Sequence, residues 1–383
     1  MTLHSRALHS RARFGVLALS ALLVAGACSS AATAAPAASS GPGQANGAVP
    51  QVPSGDVSLQ GAGATFPAPL YQSWFETFSG AHSNIKVDYQ ANGSGAGIKA
   101  ITEQTVDFGA SDAAMKDEEI AALPAGTQIL HVPTALGAVV IIYSLPDVAK
   151  LQLDDAGIAG IFLGTIKKWN DPAIAANNPG VQLPDSDILV VHRSDGSGTT
   201  NAFTSFLDTV SPDWHSNVGK GKEVKWPTGI GAQGNDGVAG AVKQTPGAVG
   251  YVELQYATQA GLSSALVKNA AGTYVPGSTA GVTAAAEAAA SSFPADFRQA
   301  PIINGAGDQT YPIATYTYLL VYKDQKDATK AQALIALIYW ALTDGQAAEE
   351  SLGYAPLPKT VDEKALAELH QITAGGAPVW PSS

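Results

Sequence analysis

The ten residues His192 to Asn201, HRSDGSGTTN, set one arginine among an aspartate, two glycines and four hydroxyl side chains. Arg193 offers a fixed positive charge on a planar fork that suits oxygen anions, and Asp195 is spaced to hold the guanidinium. Ser197, Gly198 and Thr199 add hydroxyl and backbone donors where the apolar strand pattern DILVVHR gives way to a helix expected to start near Gly198 or Thr199. The design recurs twice. GAGATFPAPLY places Thr65 as an expected N-cap, with Phe66 and then Pro67 near the first helical position. YQANGSGAGIKAI ends a strand at Gln90 and starts a helix after Ser94, a second expected cap. Each glycine-rich helix start presents free N–H groups, a hydroxyl and the positive end of a helix dipole, which together suit a small oxyanion.

Asp112, closing VDFGASD, is the odd member, because a carboxylate repels an anion that has no proton to share. Phosphate near neutral pH carries a proton and sulfate carries none. A buried Asp112 facing the ligand would therefore separate the two, by a factor on the order of 10⁴. The competing role is an N-cap for the acidic helix AAMKDEEIAAL. Neither nucleotide pattern fits: GAGATF lacks the third glycine of a dinucleotide fingerprint, and no G-x-x-x-x-G-K-[ST] occurs. The histidines show no metal-ligand spacing, so no metal or cofactor is expected. A nucleophile beside a base is also missing from these motifs, which argues against the competing reading of a secreted phosphatase. A receptor for sulfate, molybdate or a phosphonate is the other alternative.

Some neighbours have duller expectations. His192 alternates to the strand face opposite Arg193, Trp169 and Trp226 read as core, and GNDG (234–237) reads as a turn and helix cap, with direct ligand contact as the alternative.

Positioning these turns requires an α/β protein. Strand patterns occur at IKVDYQ (85–90), TVDFGASD (105–112), GAVVIIYSL (137–145), DILVVHR (187–193) and YTYLLVYK (316–323). Helical periodicity is clearest in KAQALIALIYWAL (330–342), and LYQSWFETF (70–78) and TAAAEAAASSF (283–293) follow it. Ahead of this domain, Arg6, Arg11 and Arg13 precede an apolar run from Phe14 to about Ala25, the pattern of an export signal over 1–27. Cys28 is the sole cysteine, so an intrachain disulfide is excluded. From Cys28 to residue 55 the chain is Ala-, Ser-, Pro- and Gly-rich, a tether composition. The formal charge is -11 with no basic run to compensate, so nucleic acid is not an expected partner.

Taken in order, GAGATFPAPLY, VDYQANGSGAG, VDFGASDAAM, GIFLGTIKKWNDPAI, HRSDGSGTT, VKWPTGIGAQGNDGVAG and PGAVGYVE carry a family resemblance. From about Gly61 to Pro358 the chain resembles the phosphate-binding proteins (PstS) of bacterial high-affinity phosphate ABC importers. The resemblance implies a two-lobed, type II periplasmic-binding-protein fold with the ligand in the interlobe cleft. Lobe 1 would comprise 56–136 plus 306–383, and lobe 2 would comprise 137–305. It implies phosphate contacts from Thr65, the Phe66 N–H, Ser94, Asp112 as acceptor of the phosphate proton, Arg193 positioned by Asp195, and Ser197, Gly198 and Thr199. Gly95 stands where relatives often have a second serine, so no side-chain donor is expected there. The N-terminus resembles a lipoprotein signal, with Cys28 acylated and Ala25 where leucine is usual. The implied protein is a non-catalytic monomer anchored on the outer face of the cell membrane. Its implied partners are phosphate and the permease subunits.

Overall fold

The computed structural model describes residues 49–380, so the signal, Cys28 and most of the tether lie outside the described residues. Eight strands build the main sheet: β1 (Val57–Gly63), β2 (Ile85–Ala91), β3 (Phe108–Ser111), β4 (Ile129–Tyr143), β5 (Leu189–Arg193), β6 (Ile230–Ala232), β7 (Ala248–Glu253) and β8 (Ile313–Tyr322). Their order is β2-β1-β3-β8-β4-β7-β5-β6, with two short strands, Ser263–Ser264 and Ile302–Ile303, on the side. β1 is parallel to β2 and β3, and β5 is parallel to β6 and β7. β8 and β4 join these two parallel groups through antiparallel ladders.

The expected strand over 137–145 belongs to a longer one, since β4 runs 15 residues and is buried along almost all of it. Its first part pairs with β8 as far as Ala138, and Val139 onward pairs with β7. Pro133 is tolerated because the register against β8 shifts at Thr317/Tyr318, a bulge where a missing N–H does no harm. Thr134, skipped by the ladder, turns its hydroxyl to Tyr71 at 2.7 Å. The carboxyl ends of β1 and β3 on one side, and of β5 and β7 on the other, all point to this changeover. Ligands of open α/β sheets bind at such strand ends.

The helices that matter are α1 (Ala68–Ala81), α2 (Ser94–Thr102), α3 (Asp117–Ala121), α4 (Gly198–Val210), α5 (Gly234–Gln244) and α6 (Ala328–Leu342). α1 buries Leu70, Tyr71, Trp74, Phe75 and Phe78, a helical stripe against the sheet, and Trp74 Nε1 donates to the Gly345 carbonyl at 2.7 Å. α6 buries nine of its side chains between the sheet and the C-terminal segment. Among the described residues, no helix is long and apolar enough to cross a membrane.

Two expected caps are absent. Pro67, not Thr65, occupies the N-cap of α1, and Gly93, not Ser94, that of α2; neither helix has a side-chain cap. Thr65 lies two residues too early, and Ser94 is already the first helical residue. Both hydroxyls point away from their own helices. Ser197 does cap α4, accepting from the Thr200 N–H at 3.0 Å. Asp112 does not cap the acidic helix: α3 begins after Lys116, too far along the chain.

Candidate functional site

Thr65 and Phe66 follow β1, Ser94 opens α2, Asp112 follows β3, Arg193 ends β5, and Ser197, Gly198 and Thr199 open α4. The fold brings them together away from solvent: Thr65, Phe66, Ser94, Asp112, Arg193, Ser197 and Thr199 are each no more than 4% exposed. The two walls touch directly. The Gly198 N–H donates to Ser94 Oγ at 3.0 Å, and the Gly95 N–H donates to the Gly196 carbonyl at 2.8 Å. A Cβ on Gly198 would lie 2.5 Å from Asp112 Cβ, so only glycine permits this approach. Near the rim, Lys222 Nζ meets Glu119 of α3 at 2.6 Å, a second link between the walls.

Asp112 is the acceptor at the centre. Its Oδ1 accepts from Thr317 Oγ1 at 2.8 Å and its Oδ2 from Ser94 Oγ at 3.3 Å, while its carbonyl accepts from Thr315 Oγ1 at 3.1 Å. Burial pushes its carboxyl up to about 7, against the pull of Thr317, the Arg193 charge and Ser94. Such a group changes protonation in the range where phosphate itself does. Arg193, with only 1% of its side chain exposed, donates through Nε to Asp195 Oδ1 at 2.7 Å and through Nη2 to Asp195 Oδ2. Asp195 also accepts the Gly234 N–H at 3.1 Å. Burial opposes its ionisation, yet the Arg193 fork holds Asp195 below the usual carboxyl range, so it stays charged and keeps the guanidinium oriented.

At Phe66 only the backbone could serve a ligand, because the ring is fully buried and packs edge-on against Tyr354. The peptide that carries its N–H is fixed from behind, where the Thr65 carbonyl accepts from Tyr256 OH at 2.5 Å. The next peptide is fixed by Tyr354, whose hydroxyl is 2.7 Å from the Phe66 carbonyl and 3.1 Å from Glu253 Oε2. One O–H cannot serve both acceptors fully. Burial raises the Glu253 carboxyl well above its usual range, and its Oε2 also accepts the Gln255 N–H at 2.9 Å.

Asn235, in the GNDG stretch expected to be a turn and cap, opens α5 but sends its side chain across the site. It reaches Thr65 Oγ1 at 2.8 Å and Thr199 Oγ1 at 3.2 Å, and is completely buried. Sequence reasoning gives Glu253, Tyr354 and Thr317 no place in the site and Asn235 only the GNDG alternative of a ligand contact, for all four lie far along the chain from their partners. His192 stacks on Trp226 with ring centroids 4.7 Å apart, and Trp169 donates to the Gly247 carbonyl; both serve packing. Among the described residues no cluster of three metal-ligating side chains occurs.

An enclosed set of backbone, hydroxyl and guanidinium donors facing one protonatable carboxylate matches what the sequence comparisons show. The model of the PBP superfamily domain matches residues 31–344. The phosphate-binding protein PstS of Pasteurella multocida is 43% identical over 81% of this chain and 89% of its own. That of Xylella fastidiosa (strain 9a5c) is 42% identical over 79% of this chain and 82% of its own. The chain belongs to the PstS family of phosphate-binding proteins. A solved phosphate-binding protein of Stenotrophomonas maltophilia, 24% identical, superposes with a TM-score of 0.65 over 82% of this chain and 94% of that one. The fold is accordingly the two-lobed, type II fold of periplasmic binding proteins, and β4 and β8 are the strands that connect its parallel halves.

Proposed function

We propose that this protein binds inorganic phosphate outside the cytoplasm and hands it, chemically unchanged, to an ABC-type phosphate importer. One observation carries the reading: Asp112, a buried acceptor with a carboxyl raised to about 7, faces a wall of donors that includes Arg193. Thr65, the Phe66 N–H, Ser94, Arg193 and the Ser197, Gly198 and Thr199 donors hold the phosphate oxygens. Asp112 shares the one proton that the ligand brings. Lobe 1 (56–136 plus 306–383) supplies the first three contacts and Asp112, and lobe 2 (137–305) supplies the rest. The ladder change of β4 between Ala138 and Val139 supports that boundary. Closure of the lobes over the ligand follows the known hinge repertoire. The protein works as a monomer, held at the outer face of the membrane through acylated Cys28.

Equilibrium dialysis of phosphate-stripped protein against radiolabelled phosphate tests the binding. About one phosphate per chain is expected, displaced by arsenate, which also carries a proton near neutral pH. No phosphate should be released from a chromogenic phosphate ester with added divalent metal. Turnover of that ester, or dialysis without retention, would overturn the reading.

A further inference from the structure

Asn235 makes four hydrogen bonds, and the direction of one fixes the others. Its Oδ1 accepts the Glu253 N–H at 3.0 Å, and a backbone N–H can only donate. The amide therefore cannot be flipped, and both Nδ2 hydrogens point the other way, one to Thr65 Oγ1 at 2.8 Å and one to Thr199 Oγ1 at 3.2 Å. The Asn235 backbone N–H also approaches Thr65 Oγ1, at 3.3 Å. A hydroxyl has one hydrogen to give and two lone pairs to accept with. Thr65 is filled as an acceptor and Thr199 is half filled, so each retains its single O–H for a partner other than Asn235.

We propose that Asn235 is a positioning residue that sets the polarity of the site: by filling both acceptor positions of Thr65 and one of Thr199, from opposite walls, it turns the O–H of each toward the bound anion. This rests on the phosphate reading above and gives it a reason for selectivity. Asn235 need not touch the ligand. With Thr65 closed as an acceptor and the Thr199 O–H turned to the ligand, Asp112 is the charged acceptor for a ligand-borne proton. Anions without a proton give the ligand-facing lone pairs of Asp112 no donor, and the Thr65 hydroxyl cannot turn round to relieve the mismatch. Because Thr65 and Thr199 lie 134 positions apart on different walls, the same amide also ties the two walls together.

The test is a double-mutant cycle by calorimetry with inorganic phosphate on the full mature chain, using Asn235→Ala, Thr199→Val and the double variant. Asn235→Ala should weaken binding about tenfold or more, and in the Thr199→Val background the further loss should shrink to about threefold or less. Fully additive losses, or an Asn235→Ala variant that binds as tightly as the parent, would overturn the proposal while leaving phosphate binding intact. If the parent itself binds no phosphate, the functional reading falls and this inference with it. Neutron diffraction from the unaltered protein with phosphate bound needs no variant to fold. Deuterons on Thr65 and Thr199 directed at the ligand support the proposal, and either one directed at Asn235 refutes it.

Discussion

Asp112 illustrates how a single side chain couples stability to ligand choice. In the ligand-free protein its carboxyl is raised from 3.8 to about 7, so the folded state holds the proton more tightly than the unfolded chain does. Its contribution is complete below about pH 4 and is lost as the pH rises through about 7, a difference on the order of 4 kcal/mol. Asp112→Asn does not titrate. Thermal unfolding without phosphate should therefore show the variant close to the parent at pH 4 and clearly more stable at pH 8; parallel pH profiles would contradict this. On the proposed reading, bound phosphate reverses the preference, because the ionised carboxylate then has a proton to accept. That Asp112 would stand apart from the other motif residues was legible in the sequence, since an acidic side chain among anion donors has few explanations. The direction of the Thr65 and Ser94 hydroxyls was not. A serine or threonine beside a helix start looks the same whether it caps the helix or serves a ligand, and only the rotation set by distant partners decides.

At the scale of elements, the helix starts act as donors because their glycines let the backbones meet. Gly198 has an ordinary helical backbone and would accept a methyl group as far as its own helix is concerned. The obstacle is Asp112, whose Cβ would lie 2.5 Å away across the site. Gly198→Ala should consequently leave the far-UV circular dichroism unchanged and weaken phosphate binding about a hundredfold, the roughly 3 kcal/mol of an overpacked contact. Unchanged affinity would mean that the two walls do not approach this closely in the complex. The strand and helix sites were readable from apolar periodicity, including β2, β5 and α6. The full length of β4 was not, because Pro133 and Gly137 read as breakers until a bulge and a second partner strand are in place. Likewise GNDG reads as a turn, and nothing local announces that Asn235 will meet a threonine 170 residues earlier.

For the whole molecule, the formal charge of -11 and an anion ligand are compatible because a buried site responds to its own donors more than to the distant surface. Where the protein sits depends on Cys28, which lies outside the described residues. Cys28→Ala should move the protein from the membrane fraction into the medium or periplasm, followed by immunoblot; retention in the membrane fraction would remove the lipid anchor from the account. The central claim, a clamp that recognises phosphate by the proton it carries, is tested most directly by isothermal titration of phosphate-stripped parent protein and Asp112→Asn with phosphate and with sulfate at the same pH. The account predicts tight one-to-one phosphate binding and no sulfate heat for the parent, and a narrowed difference between the two anions for the variant. Sulfate binding by the parent, or undiminished discrimination in Asp112→Asn, would contradict it.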